Sequence, residues 1–436
     1  MLVIFTRLIP LLISCFILML SYGLIGLLIP VKLNMVGTNT DTIGLILSMY
    51  AVGLLIGGFY SRHLISKVGH VRVFAVCAAI GAASILICSL TLNYWVWATM
   101  RMLMGLSIAC AFTVMDGWLS QAVSEAYRGR ILAVSQSVIL AAFFLGQFLL
   151  GLASPATTSL FIIAAILLCL SMIPLATSRK PEPLIEHSGR MQLTEVAKIS
   201  PLGVASCLFG GILYGALISM LPIFAEQYGI NEFRLSLYMA SAVLGAFVLQ
   251  FPVGMLSDRF QRRTILIYLL AIAIITSAST PFLAKSSQFI AIMFTTGISA
   301  GIFTCLYPIG LAEALDRVKQ SDSVATMGAL LSIYAIGNIL GPLVSSITMK
   351  HFGNDVLFYF LAIAEFSLLL FLTYRIQVRA PVPLEDQESF VMHPSALGAP
   401  LVNLDPRIQS ETSIPDFDGE QAKKKQLKSE QTKGQL

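Results

Sequence analysis

Ionisable side chains are scarce in the apolar parts of this chain, so the few that occur there are the first candidates for chemistry. Arg101 and Asp116 both lie in WVWATMRMLMGLSIACAFTVMDGWLSQ, residues 95–121, and Glu365 sits in the middle of AIAEFSLLL. A charge at the centre of a lipid-spanning helix costs roughly 2.5–3.5 kcal/mol on insertion scales, so such residues usually face a protein interior or a wet cavity. Arg101, Gly105 and Ala109 are spaced by four and share one helical face. The small residues admit a neighbouring helix, and the guanidinium beside them can donate to an anionic substrate group or to a carboxylate. An arginine that only snorkels outward is the competing reading. Asp116 is not its ion-pair partner, because about 15 residues at 1.5 Å each hold the two roughly 22 Å apart. Near its helix end Asp116 would cap or pair with a loop base such as Arg128 or Arg130, or take part in a gate. Glu365 is the candidate proton carrier, set against a glutamate that is uncoupled or snorkels into lipid.

Other chemistries are not signalled. The seven cysteines all fall in apolar runs with no CxxC pair, and the five histidines are scattered over loops and tail without ligand spacing. No metal site, cofactor or disulfide is therefore expected. No nucleophile, base and orienting group occur at recognisable spacing, and there is no phosphate-binding P-loop, so the chain reads as neither an enzyme nor an ATPase.

The elements that must hold these residues are membrane helices. The chain has 436 residues, is 56% hydrophobic and only 12% charged, with a mean hydropathy of +0.82. That composition excludes an ordinary soluble domain. Apolar runs of roughly 20 residues, the length that crosses a bilayer core, recur about twelve times. The first extends to residue 30, too long for a secretory signal core. The others cover 43–60, 73–92, 95–121, 131–152, 159–175, a seventh opening at Ser200-Pro201, then 236–256, 264–284, 289–312, 324–349 and 356–374. Ser200 is a capping residue and Pro201 suits the first turn. The expected organisation is a six-helix bundle over 1–176, a polar cytoplasmic linker over 177–200, a second six-helix bundle over 201–376 and a disordered tail over 377–436.

Alternate loops concentrate Arg62, Lys67, Arg72, Arg259, Arg262, Arg263 and Arg317, whereas the opposite loops hold only Lys32, Arg234, Lys285 and Lys350. The positive-inside bias places both termini in the cytoplasm. The net charge of +5 follows from this loop bias and does not signal nucleic-acid binding. Helical spacing adds polar and aromatic stripes as cavity candidates: Gln136, Phe143 and Gln147 in the fifth span and Tyr334 and Asn338 in the eleventh, with Tyr22, Tyr214 and Tyr307 besides. Helix-helix packing is the rival use of such residues. Prolines 222, 252 and 308 suggest broken helices around a midplane site.

Between the eighth and ninth spans the chain reads Gly254-Met-Leu-Ser-Asp258-Arg259-Phe-Gln-Arg262-Arg263, and after the second it reads Gly57-Gly-Phe-Tyr-Ser61-Arg62 followed by Lys67, Gly69, His70 and Arg72. The form GxxxDRxxRR resembles the cytoplasmic signature of the major facilitator superfamily, and Arg101-xxx-Gly105-xxx-Ala109 matches its RxxxGxxxA pattern. Stretches such as SRHLISKVGHVRVFA, Asp116-Gly-Trp118, FPVGMLSDR and YPIGLAEALD make the sequence similar to the bacterial YcaD-like branch.

The resemblance implies an all-α membrane protein with twelve transmembrane helices in two six-helix bundles, and secondary transport by alternating access. Ser61 and Gln261 depart from the signature, which leaves Asp258 and Arg259 as the expected latch, with Gly57, Arg62, Asp116, Gly254, Arg262 and Arg263 around the gate. The expected function is movement of a small organic solute across the bacterial cytoplasmic membrane by a monomer, coupled to protons, with efflux of amphipathic compounds favoured over metabolite uptake. The alternative is a non-transporting sensor or scaffold acting through its tail.

Overall fold

The computed structural model describes residues 2–121, 128–177, 192–319 and 322–378, and the isolated positions 382, 383, 387 and 391. Residues 178–191 of the expected linker, nearly all of the tail expected to be disordered, and the side chains of Arg128 and Arg130 lie outside the described residues. Among those described the chain is helical, with no strand. In order the helices are α1 (Leu2–Met35), α2 (Thr40–Val68), α3 (His70–Leu90), α4 (Tyr94–Gln121), α5 (Arg128–Phe148), α6 (Ser159–Leu170), α7 (Met172–Ala176), α8 (Leu193–Ile199), α9 (Pro201–Gln227), α10 (Glu232–Val248), α11 (Gln250–Arg259), α12 (Arg262–Lys285), α13 (Phe289–Leu315), α14 (Ser323–Phe352) and α15 (Val356–Val378). They make 12 spans long and apolar enough to cross a bilayer, with α6 and α7 joined in the sixth and α10 and α11 in the eighth. The short α8 lies in the segment expected as a linker.

Local signals account for several boundaries. Ser200 caps α9 by accepting a hydrogen bond from the Gly203 amide at 3.2 Å, and Pro201 sits in the first turn, where its missing N–H costs nothing. Gly69 turns the chain from α2 into α3 at φ 92°, a backbone state that favours glycine. The expectation of three proline-broken helices is corrected. Helices α9 and α13 run through Pro222 and Pro308, and of these three spans the eighth alone is interrupted, at Leu249, three residues before Pro252. Packed neighbours let the other prolines stay inside continuous helices.

Close packing follows the small residues. A Cβ on Gly53 would overlap the Met102 carbonyl and one on Gly105 the Tyr50 carbonyl, so α2 and α4 touch backbone to backbone. Helices α9 and α14 approach in the same way, Gly211 against the Tyr334 carbonyl and Gly337 against that of Leu208. Where lipid gives no hydrophobic drive for association, such close contact supplies the dispersion that holds helices together.

The first six spans meet the last six along α2 with α14 and α5 with α10. At the end away from the basic loops the junction is pinned. Lys350 pairs with Asp41 at 2.8 Å, the Asn34 amide donates to Glu226, and the rings of Phe148 and Phe233 lie 6.1 Å apart. Gly44 of α2 lies so close to Ser346 of α14 that a Cβ there would overlap its hydroxyl.

Candidate functional site

Between the two sets of spans lies a cavity with an empty volume of about 760 Å³, counting space open to solvent. One wall comes from α1, α2, α4 and α5, through Met19, Tyr22, Gly26, Leu47, Tyr50, Ala51, Arg101, Ile108, Phe112 and Phe143. The other comes from α9 and α14, through Tyr214, Gly215, Ile218, Ser219, Asn338 and Pro342. The glycine contacts described above set this geometry: Gly105 holds Tyr50 of α2 beside Arg101 of α4, and Gly215 brings α9 against Asn338.

Among the described residues of the lining Arg101 is the single charged one. It is 7% exposed, and its guanidinium carbon sits 4.7 Å from the centroid of the Tyr50 ring, a cation–π contact. Its Nε has no hydrogen-bond partner, and no ion pair to it occurs among the described residues. The Tyr22 ring lies 6.3 Å from that of Tyr50, and the Tyr22 hydroxyl donates to the Met104 carbonyl at 3.1 Å.

Five expected cavity residues line this space: Arg101, Tyr22, Phe143, Tyr214 and Asn338. Four do not. Gln147 donates to the carbonyls of Gly23 and Phe143, each at 3.2 Å, which makes it a tie between α1 and α5. Gln136 is fully buried in α5, two turns from Phe143. Tyr307 and Tyr334 stack edge to face at 5.2 Å in an apolar cluster with Cys207, Leu311 and Leu330. For Gln147, Tyr307 and Tyr334 the packing alternative describes the structure. Tyr50 and Phe112 escaped the sequence reading. Tyr50 stands seven residues before Gly57 and three before Gly53, so the small-residue face of α2 was the signal that could have found it.

At the basic end the second set of spans carries a buried ionic cluster. Arg262 pairs with Asp316, Arg263 reaches Glu313 at 3.0 Å, and Arg317 reaches the same Glu313 oxygen at 3.0 Å. The arginines lead α12 and follow α13, while the carboxylates end α13. Glu313 and Asp316 were missed as site residues, although both stand in YPIGLAEALD. Asp258 and Arg259, the expected latch, are exposed at the end of α11, and Gly254 is buried one turn before Asp258.

The presumed match between the two basic loops is also offset. Ser61 lies seven residues before the end of α2, whereas Asp258 lies one residue before the end of α11, so Lys67 is its counterpart by helix position. Ser61 is buried and accepts a hydrogen bond from Thr113 of α4 at 2.9 Å, and Gly57 packs on Ala109 of that helix. Arg62 is half-buried, and Asp116 is buried near the end of α4.

Glu365 of α15 is fully buried, which excludes the lipid-snorkelling alternative. The Ser277 hydroxyl donates to its Oε1 at 2.7 Å and lies 3.4 Å from that of Ser299, which is itself 2.8 Å from the Thr276 hydroxyl. This network joins α12, α13 and α15 and is separate from the cavity lining. Among the described residues no cluster of metal-ligating side chains occurs.

Twelve membrane helices in two sets, with a cavity between them, define a multi-pass membrane carrier. The chain belongs to the Major Facilitator Superfamily, whose family model matches residues 11–284 and 205–413. It is similar to the uncharacterized MFS-type transporter YcaD of Escherichia fergusonii, with 29% identity over 372 residues, 85% of this chain and 96% of that one. The protein of the same name from Shigella flexneri is 28% identical over 371 residues, 84% of this chain and 96% of that one. In structure the chain resembles a single-residue mutant of the nucleoside transporter NupG, with TM-score 0.73 and 11% identity over 84% of this chain and 98% of that one. A second NupG structure gives TM-score 0.68 and 13% identity over 85% and 99%. The likeness is one of fold. The chain is a secondary transporter of a small-molecule substrate, embedded in the bilayer, and not an enzyme.

Proposed function

We propose that the chain moves a small organic solute across the bacterial cytoplasmic membrane through the central cavity, with both termini in the cytoplasm and transport coupled to protons. The observation that carries this reading is the cavity itself: it lies between the two sets of spans and the junction beyond it is pinned by Asp41 with Lys350 and by the Gly44 approach. A pinned junction on one side supports a state that receives solute from the basic, cytoplasmic end. Residues 1–176 and 201–376 then rock as units joined by the 177–200 linker, and a single copy of the chain suffices. The aromatic side chains Tyr22, Tyr50, Phe112 and Phe143 suit an amphipathic solute, and entry from the cytoplasm favours efflux.

The proton step is assigned to Glu365, a buried carboxyl on a chain of hydroxyls able to hand a proton along. At the basic end Arg262 and Arg263, held by Asp316 and Glu313, form the fixed frame of the gate. Around them Gly57, Gly254, Arg62, Asp116, Asp258 and Arg259 shape or line the moving surface. Proteoliposomes tested against a panel of solutes with and without a pH gradient check the proposal. Solute movement driven by the gradient is expected, and Glu365→Gln should abolish that drive while leaving solute exchange at equal pH intact. Absence of solute and proton movement under every condition rejects it.

A further inference from the structure

We infer that the central cavity selects an organic anion, a carboxylate or similar group carried on an aromatic or aliphatic body. The inference rests on the transport reading only in taking this cavity as the place where solute sits. Its basis is a charge imbalance. Among the described residues Arg101 is the only charged one of the lining, and none of them puts a carboxylate on either wall. The described titratable groups that act on the guanidinium, Tyr50, Cys88 and Tyr22, are phenols and a thiol, and none is a carboxylate. Elsewhere Glu313 and Asp316 are engaged by arginines and Glu365 by Ser277, and Asp116 lies about 22 Å along α4 from Arg101.

A guanidinium this deeply buried with no counter-charge is costly, and a ligand that supplies the charge recovers the cost. The Tyr50 ring meets the guanidinium through a cation–π contact and takes up none of its N–H donors, which leaves them for a planar acceptor such as a carboxylate. On the opposite wall the side chains of Ser219 and Asn338 line the cavity and can complete the shell of the anion. Tyr22, Phe112 and Phe143 then surround the apolar body. A cationic amphiphile of the same shape would meet a like charge at low dielectric.

The test uses the purified full-length protein and three matched triplets that change only the charge of the head group: benzoate, benzamide and benzamidine; indole-3-acetate, indole-3-acetamide and tryptamine; hexanoate, hexanamide and hexylamine. Equilibrium binding should favour the anion over both companions in at least one triplet, by roughly tenfold or more, the range for a hydrogen bond to a charged group. Arg101→Gln should erase the preference and Arg101→Lys should keep part of it. Ala51→Asp, which places a carboxylate on the wall beside Tyr50, should erase it with Arg101 intact. That second route does not depend on Arg101→Gln folding. Equal or tighter binding of the amides or cations, no anion preference in any triplet, or a preference that survives both substitutions overturns the inference. Counterflow in proteoliposomes separates this from the transport reading. Exchange of the amides without anion preference sinks the anion site alone, whereas anions that bind but never exchange sink transport alone.

Discussion

Two regions of the molecule bury arginine, and they do so in opposite ways. At the basic end Arg262 and Arg263, with Arg317, meet Asp316 and Glu313 of one helix end, so every charge has a protein partner. In the central cavity Arg101 has the face of Tyr50 and no carboxylate. An internally compensated cluster spends its electrostatic attraction on holding α12 to α13. An uncompensated charge holds nothing of its own and is left for something that arrives. The difference separates framework from binding site without any knowledge of the solute.

The sharpest way to break this comparison is Glu313→Ala. It leaves two buried guanidinia facing a void, and removal of one partner of a buried pair costs about 3–5 kcal/mol. A large fall in melting temperature is expected in detergent, and an unchanged value would mean that the cluster is not framework. Arg101→Gln should move the other way. Loss of an unpaired buried cation removes a desolvation cost, so the melting temperature holds or rises while solute exchange collapses. A melting point that falls as far as that of Glu313→Ala would make Arg101 framework too. Next in size is Gly44→Leu, which wedges α2 from Ser346 of α14. A cysteine introduced at Ala51, in a background lacking native cysteines, should react faster with a membrane-impermeant thiol reagent added from the end away from the basic loops.

The fold was almost wholly legible, because apolar length and loop charge act locally: all twelve spans stand near their expected places. Arg101 was legible for the same reason, as a costly residue in an apolar run. The stripes were not. Gln147 and Phe143 share a face of α5, yet one ties down α1 and the other lines the cavity, since the direction of a helix face is set by its neighbours. Glu313 and Asp316 sat at a span end, where acidic residues ordinarily meet solvent, and it is the approach of α12 that adds Arg262 and Arg263 to the local Arg317 and buries the cluster. The Ser61 and Asp258 offset was hidden because equal spacing from a glycine says nothing about how much helix remains before the turn.

The smallest effect is expected where the pinned junction carries the one ion pair that, among the described residues, joins the two sets of spans. Lys350 and Asp41 remain 45% and 32% exposed in their side chains, so water and salt screen their attraction. Lys350→Ala should cost about 0.2–1 kcal/mol, with a melting shift that fades as ionic strength rises. The same substitution should change the labelling rate at position 51 far less than Gly44→Leu does. If the two variants open the junction equally, then charge and not backbone contact closes it. The pair would then belong with the compensated cluster as framework, and closure itself would weaken in high salt.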